Sequence, residues 1–75
     1  MLPIFETLDG QSRIYISRLG KSGFIAKYYP DINNEYDFYS SIYESKRTDK
    51  EWLETVCLYE NLDPEVFVKI GESDY

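Results

Sequence analysis

The sequence predicts a small α+β fold, in which an N-terminal β-hairpin or three-stranded antiparallel sheet packs on two to three C-terminal helices. Residues 13–19 and 24–29 are rich in β-branched and aromatic side chains and flank a glycine-containing turn, which is typical of a hairpin. Beyond Pro30 the apolar residues recur with helical spacing. A chain of 75 residues suits one domain, with a hairpin region at 1–30 and an acidic helical region at 31–75.

The hairpin is predicted to turn at Lys21 and Ser22, which fixes the faces of its two strands. The expected core face is almost wholly apolar and holds Tyr15, Ser17, Leu19, Phe24, Ala26 and Tyr28. The other face is mixed and partly wet, and it holds Ile14, Ile16, Arg18, Ile25, Lys27 and Tyr29. A slip of one residue would exchange the faces of a strand. Residues 2–8, which end at an Asp-Gly turn signal, are predicted to add a third strand.

Residues 34–46 are predicted to form the first helix. Asn34 can cap it, and Asp37 in the first turn suits the positive end of the helix dipole. Aromatic and aliphatic side chains would then cluster on one side. A strand is the alternative, because residues 38–43 are also an acceptable strand sequence.

Residues 48–61 carry the strongest helix pattern. Thr48 and Glu51 form a capping box, in which each side chain reaches the free backbone N–H of the other residue. The apolar stripe of this helix consists of Trp52, Leu53, Val56, Cys57 and Tyr59. Leu58 is the exception, because it projects toward the acidic side of the helix.

The last element is predicted to be a short helix at 64–70. Asp63 is a suitable cap, and Pro64 at the first helical position loses no hydrogen bond. A strand at 66–70 is the alternative. Residues 72–75 are expected to form a frayed tail.

The spacing of the last two predicted helices resembles a helix-turn-helix. The residues that match its core and turn positions are Val56, Cys57, Asn61, Leu62, Phe67 and Ile70. The resemblance would imply that the start of the second helix meets bases and phosphates. Asp63 and Glu65 stand there, and DNA would repel them. We therefore expect the helix pair to serve packing.

Charge divides the sequence into two parts. Residues 1–30 carry four cations against two acids, a net charge of +2. Residues 31–75 carry four cations against twelve acids, a net charge of −8. An acidic surface repels nucleic acids and membrane phosphates and attracts basic partners.

The residue types argue against an enzyme and against a cofactor. The chain has no histidine, and its one cysteine, Cys57, cannot form an internal disulfide or a zinc site alone. Gly20-Lys21-Ser22 lacks the earlier glycine of a phosphate-binding loop, since position 15 is tyrosine. No metal site is expected, and a calcium loop at 31–42 fails at its required glycine and final glutamate. A cytoplasmic protein without signal peptide or membrane helix is expected.

These observations predict a small non-enzymatic module for protein–protein interaction. In its sharpest form it is an inhibitor that occupies the nucleic-acid-binding surface of a basic partner, because carboxylates on rigid helices can imitate phosphates. In size and charge it is similar to small phage-encoded DNA mimics. The predicted contact residues are Asp31, Glu35, Tyr36, Asp37, Glu44, Asp49, Glu51, Glu54 and Leu58. The alternatives are a nucleic-acid binder that uses the basic aromatic hairpin and a structural or homodimeric subunit.

Overall fold

The computed structural model describes residues 1–73 and contains one five-stranded antiparallel sheet with one α-helix packed on a single face. The elements in chain order are β1 (Leu2–Thr7), β2 (Arg13–Leu19), β3 (Gly23–Tyr29), β4 (Tyr39–Tyr43), α1 (Asp49–Glu60), a 3-10 turn (Pro64–Val66) and β5 (Phe67–Ser73). In space the strand order is β4-β3-β2-β1-β5. The first and last strands are therefore neighbours, and β4 and β5 form the two edges.

The prediction of two to three C-terminal helices is wrong. The first predicted helix, at residues 34–46, does not form. The Asp31 carboxylate accepts a hydrogen bond from the N–H of Asn33 (2.9 Å). The Asn34 side chain likewise accepts one from the N–H of Tyr36 (3.2 Å). Such turns satisfy the backbone outside a helix and compete with helix formation. The chain then enters β4, which pairs with β3 along its whole length, so the strand alternative is correct.

The predicted helix at 64–70 does not form either. Asp63 caps a turn as expected, accepting a hydrogen bond from the backbone two residues later (3.0 Å), and Pro64 begins that turn. The turn is only three residues long, and β5 then pairs with β1. The second helix of a helix-turn-helix does not form. The first two residues of the predicted tail at 72–75 belong to β5, and residues 74–75 lie outside the described part of the chain.

The hairpin forms as predicted but in a different register. Leu19 pairs with Gly23 and not with Phe24, because the loop has three residues instead of two. This loop begins at Gly20, whose φ of 67° is in the left-handed region that glycine adopts without steric cost. A slip of one residue moves every side chain of a strand to the other face.

The register changes which residues of β2 form the core. Ile14 and Ile16, which were expected to be partly wet, are fully buried. Tyr15 and Ser17, which were expected in the core, lie on the opposite face. The prediction for β3 is correct, since its core-facing residues are Phe24, Ala26 and Tyr28. We call the buried side the closed face; its central residues are Phe5, Ile14, Ile16, Phe24 and Ala26.

Helix α1 covers the closed face and begins as the sequence predicts. The Thr48 hydroxyl accepts a hydrogen bond from the N–H of Glu51 (3.2 Å), and the Glu51 carboxylate accepts one from the N–H of Thr48 (3.0 Å). Trp52, Val56 and Cys57 are buried against the sheet. Burial of such side chains stabilises a fold by roughly 1.5–3 kcal/mol each, so the helix is firmly anchored.

Two aromatic contacts hold the buried side of α1. The ring centroid of Trp52 lies 5.4 Å from that of Phe24 and 5.4 Å from that of Tyr43. The guanidinium of Arg47 lies over the rings of Tyr43 (4.8 Å) and Trp52 (5.3 Å). Tyr59 was expected in the apolar stripe, but it is 67% exposed because it lies past the edge of the buried face.

Candidate interaction surfaces

The outward side of α1 carries three of the predicted contact residues. Leu58 is 85% exposed, and Glu54 and Glu51 are exposed one and two turns earlier, respectively, on the same helix. Hydrogen bonding with the backbone and, to a smaller extent, the side chain of Thr48 lowers the pKa of Glu51. The capping box therefore favours the ionised form of this carboxylate. We call Glu51, Glu54 and Leu58 the helix patch.

Asp49 lies on α1 but is already paired. Its carboxylate is 2.7 Å from the ammonium of Lys69 on β5, and that ammonium also lies 2.8 Å from the carboxylate of Glu72. The hydrogen bonds to Asp49 and Glu72 raise the pKa of Lys69. Asp49 consequently joins the helix to an edge strand and presents less free charge than the helix patch does.

The other predicted contact residues do not belong to the helix patch. Asp31, Glu35, Tyr36 and Asp37 lie in the loop between β3 and β4, and Glu44 directly follows β4. All five are exposed, and Tyr36 is 87% exposed. The structure therefore places the predicted contact residues in separate regions, because the segment expected to be an acidic helix is a loop and a strand.

The face of the sheet opposite α1 is a surface that the sequence prediction missed. Within residues 1–73 no helix covers it. The strand residues that alternate with the closed face occupy it, and they include Ile4, Glu6, Arg13, Tyr15, Ser17, Leu19, Ile25, Lys27, Tyr29, Ser40, Ile42 and Val68. We call this surface the open face. The sequence pattern of β3 placed its residues on the correct faces. The wrong register of β2 assigned Tyr15 and Ser17 to the core, so their place on this surface was not predicted.

A groove of about 390 Å³ crosses the open face. The loop between β3 and β4 forms one side of it through Ile32 and Glu35. The strand residues that line it are Arg13, Tyr15, Ser17, Lys27 and Tyr29. Two aromatic and one aliphatic side chain line it beside four polar ones, so it is more polar than a typical small-molecule site.

Aromatic rings form a continuous row beside this groove. The ring centroids of Tyr15 and Tyr29 are 5.7 Å apart, and those of Tyr29 and Phe38 are 5.3 Å apart. The ammonium of Lys27 lies 5.3 Å from the centre of the Phe38 ring. The open face thus joins apolar area to a positive charge.

Arg13 in the groove is neutralised by its neighbours. Its Nε donates to the Glu6 carboxylate (3.1 Å), and its Nη1 donates to the Tyr15 hydroxyl (2.8 Å). These hydrogen bonds, first to Tyr15 and then to Glu6, raise the pKa of the guanidinium. Lys27, in contrast, has no carboxylate within 4.0 Å among the described residues.

Cys57 is placed for packing. Its thiol is buried under α1, and burial, with a smaller effect from the negative charge of Asp63, raises its pKa to about 11. A thiolate is the reactive form of cysteine, so this thiol is inert at neutral pH. In the part of the chain that the structure describes, no three histidine, cysteine or acidic side chains are grouped to hold a metal ion.

No helix within residues 1–73 has both the length and the apolar character needed to cross a membrane. Comparison of the chain with protein-family models, curated proteins and solved structures gives no match. The chemistry of these surfaces is therefore what bears on function.

Proposed function

We propose that this protein is a non-enzymatic interaction module that binds a basic protein partner through the helix patch. Its sharpest form is an inhibitor that occupies a nucleic-acid-binding surface of that partner. One observation carries the proposal: Leu58 is 85% exposed on a helix whose other side is anchored in the core, and it is flanked by Glu51 and Glu54. An exposed apolar anchor beside charged residues is a common arrangement at protein interfaces.

The rigidity of α1 supports this function. Its buried side is fixed by Trp52, Val56 and Cys57, so the outward carboxylates keep a constant spacing. Along the axis, Glu51 and Leu58 are about 10 Å apart at 1.5 Å per residue. A partner that matches this spacing would spend little conformational entropy on ordering the contact.

The charge around α1 favours a basic partner. Residues 49–73 contain seven acids against two cations, and Lys69 is engaged by Asp49 and Glu72. The remaining carboxylates give this side of the molecule a negative field. Complementary charge speeds association and excludes wrong partners more than it adds affinity. We place the interaction in the cytoplasm as part of the same proposal, because the one cysteine is a free thiol and such thiols persist in reducing compartments.

The test begins with affinity capture from the native host, followed by binding measurements with the purified partner. We expect a basic protein whose affinity falls steeply as salt is raised, since the attraction is screened. Leu58→Ala should weaken binding about tenfold, as removal of a central apolar anchor does. An affinity that is unchanged between low and high salt would exclude the proposal.

Two charge reversals test whether the partner contacts the helix patch or the loop between β3 and β4. Glu54→Lys and Asp37→Lys make the same change of charge at exposed carboxylates. We expect Glu54→Lys to weaken binding and to flatten its salt dependence, and Asp37→Lys to leave both nearly unchanged. The reverse result would move the contact to the loop between β3 and β4.

A second candidate function is nucleic-acid binding by the open face. The observation that favours it is the groove, where Lys27 lies beside the aromatic row of Tyr15, Tyr29 and Phe38. Bases stack on such rings, and cations attract the backbone. It ranks second because Glu6 neutralises Arg13.

Other residues of the predicted basic hairpin point away from this groove. Tyr28 stacks on Tyr39 on the closed face (6.3 Å), and Arg18 lies over Phe24 (5.6 Å). A mobility-shift assay with single-stranded and double-stranded oligonucleotides tests the function. Saturable binding at physiological salt that Lys27→Glu abolishes, and that Lys21→Glu in the hairpin loop does not, would place this candidate first.

A further inference from the structure

The two edges of the sheet differ in how well they are protected against pairing. The edge strand β5 carries Lys69 and Glu72, and its pairing with β1 shifts register opposite Ile4 and Phe5. Charges and irregularities of this kind discourage another strand from adding to an edge. The edge strand β4 has neither device: its sequence is Tyr-Ser-Ser-Ile-Tyr, and it pairs with β3 without a shift.

The outer edge of β4 is open and uncharged. No strand within residues 1–73 pairs with it, because the sheet ends there. Ile42 is 67% exposed and Tyr39 is 56% exposed. Unpaired backbone groups beside uncharged side chains make this the part of the molecule best suited to accept another strand.

We propose that β4 pairs in antiparallel fashion with β4 of a second copy of this chain, which joins the two sheets into one of ten strands. The sequence of β4 reads almost the same in both directions. With a two-fold axis at Ser41, Tyr39 faces Tyr43 of the partner subunit and Ser40 faces Ile42 of the partner subunit. A symmetric dimer requires a surface that is complementary to itself, and this strand satisfies that requirement.

The side chains fit this register face by face. Tyr39, Ser41 and Tyr43 lie on the closed face, and Ser40 and Ile42 lie on the open face. Directly opposite residues of an antiparallel pair share a face, with Cβ atoms about 4.5–5.5 Å apart. Tyr39 therefore lies opposite Tyr43 of the partner subunit on the closed face, and a shift by two residues would place tyrosine opposite serine instead.

Charge selects the β4 edge for a second copy. Each chain has a net charge of −6, so two copies repel each other, and a contact surface without charged residues adds least to that repulsion. β4 contains no charged residue. If the strand line is continued, Asp37 falls opposite Ser45 of the partner subunit and Glu44 opposite Phe38 of the partner subunit. No two like charges oppose each other.

The proposal goes beyond the helix patch and does not depend on it, because α1 and the outer edge of β4 are different surfaces. Its test is sedimentation analysis of the full chain from micromolar to millimolar concentration. We expect a monomer–dimer equilibrium. A monomer at every concentration would overturn the proposal.

Two lysine substitutions identify the edge. Ile42 on β4 and Val68 on β5 are both exposed apolar residues on the open face, each on an edge strand. Ile42→Lys should weaken the dimer about tenfold or more, because an edge lysine blocks strand addition. Val68→Lys should leave the dimer intact. A dimer that survives Ile42→Lys, or that Val68→Lys disrupts equally, refutes this interface.

Hydrogen exchange provides a readout that does not depend on a variant. The amides of β4 that point away from β3 should exchange rapidly in dilute wild-type protein and slowly in concentrated protein. Exchange from the outer amides of β5 should not change with concentration. If the outer amides of β5 were protected at high concentration and those of β4 were not, the contact would lie at β5 and the proposed interface would be refuted. Because the sample contains only this chain, protection of β4 that increases with concentration identifies a second copy as the occupant of the edge.

Discussion

The two faces of the sheet are built from the same strands but differ in burial. On the closed face, Ile14 and Ile16 are fully buried beneath α1. On the open face, the adjacent residues Tyr15 and Ile25 remain partly exposed, although they are apolar or aromatic as well. One helix is the cause of this difference. The closed face supplies most of the stability, and the open face remains partly accessible to solvent.

The largest expected effect comes from removing the centre of the closed face. Trp52 is fully buried and contacts the rings of Phe24 and Tyr43. Trp52→Ala should lower the free energy of unfolding by about 3–5 kcal/mol, measured by urea denaturation. Small domains have little more stability than this, so much of the variant should be unfolded. Tyr36→Ala, at a highly exposed position, is the control and should have almost no effect.

A direct comparison of the two faces comes next in size. Ile16 on β2 is fully buried on the closed face, and Ile25 on the adjacent β3 lies on the open face. Ile16→Ala should cost about 2–5 kcal/mol, and Ile25→Ala clearly less, because part of its surface is already in water. Urea denaturation at low protein concentration measures both. Equal costs would show that the open face is also covered.

The end of the helix that separates the two faces gives a smaller effect. Asn61 caps α1 with φ 61° and ψ 49°, and its N–H donates to the carbonyl of Cys57. Asn61→Ala should destabilise the protein by about 1 kcal/mol, since alanine is strained in this conformation. Asn61→Gly should preserve the stability. Thermal unfolding measures the difference between the two variants. Equal melting temperatures of Asn61→Ala and Asn61→Gly would argue against a role for the left-handed backbone conformation.

The start of the helix should produce the smallest effect, and it should depend on pH. The hydrogen bonds from Thr48 lower the pKa of Glu51 below its usual value of 4.5. A carboxyl whose pKa is lowered by folding stabilises the protein above its unfolded pKa, and this contribution disappears as the pH falls through the folded pKa. Glu51→Gln should therefore lower the melting temperature at pH 7 and not in strong acid.

Glu54→Gln is the matched control for this pH dependence, because Glu54 is exposed on the same helix without a side-chain hydrogen bond in the described structure. It should change the melting temperature little at either pH. If both variants behave alike, net charge and not the capping box determines the effect.

The elements that could be predicted from the sequence are those with local signals. The hairpin and β1 follow from their β-branched and aromatic residues, and α1 follows from its capping box. β4 and β5 were ambiguous because short apolar runs suit both a helix and a strand. Their pairing with β3 and β1 settled the choice, and such long-range contacts are not visible in local sequence.

The candidate surfaces, like the fold, were predicted only in part. The outward position of Leu58 could be read from helical periodicity and is correct. The open face could not be identified, because it depends on the three-residue loop that begins at Gly20. The loop is one residue longer than predicted, and for this reason Ile14 is in the core and Tyr15 is on the opposite face. Periodicity determines which residues share a face, and the turn determines which face is buried.

The adjacency of β1 and β5 has a consequence for the order of folding. Leu2 and Ser73 are paired, so the sheet is completed by joining residues from nearly opposite ends of the described chain. Contacts of such long sequence separation are slow to form, because much chain entropy is lost before they are gained. We expect the hairpin and α1 to form early. During synthesis β1 would keep an unpaired edge until residues 67–73 emerge from the ribosome, and assembly of the sheet would then be completed there.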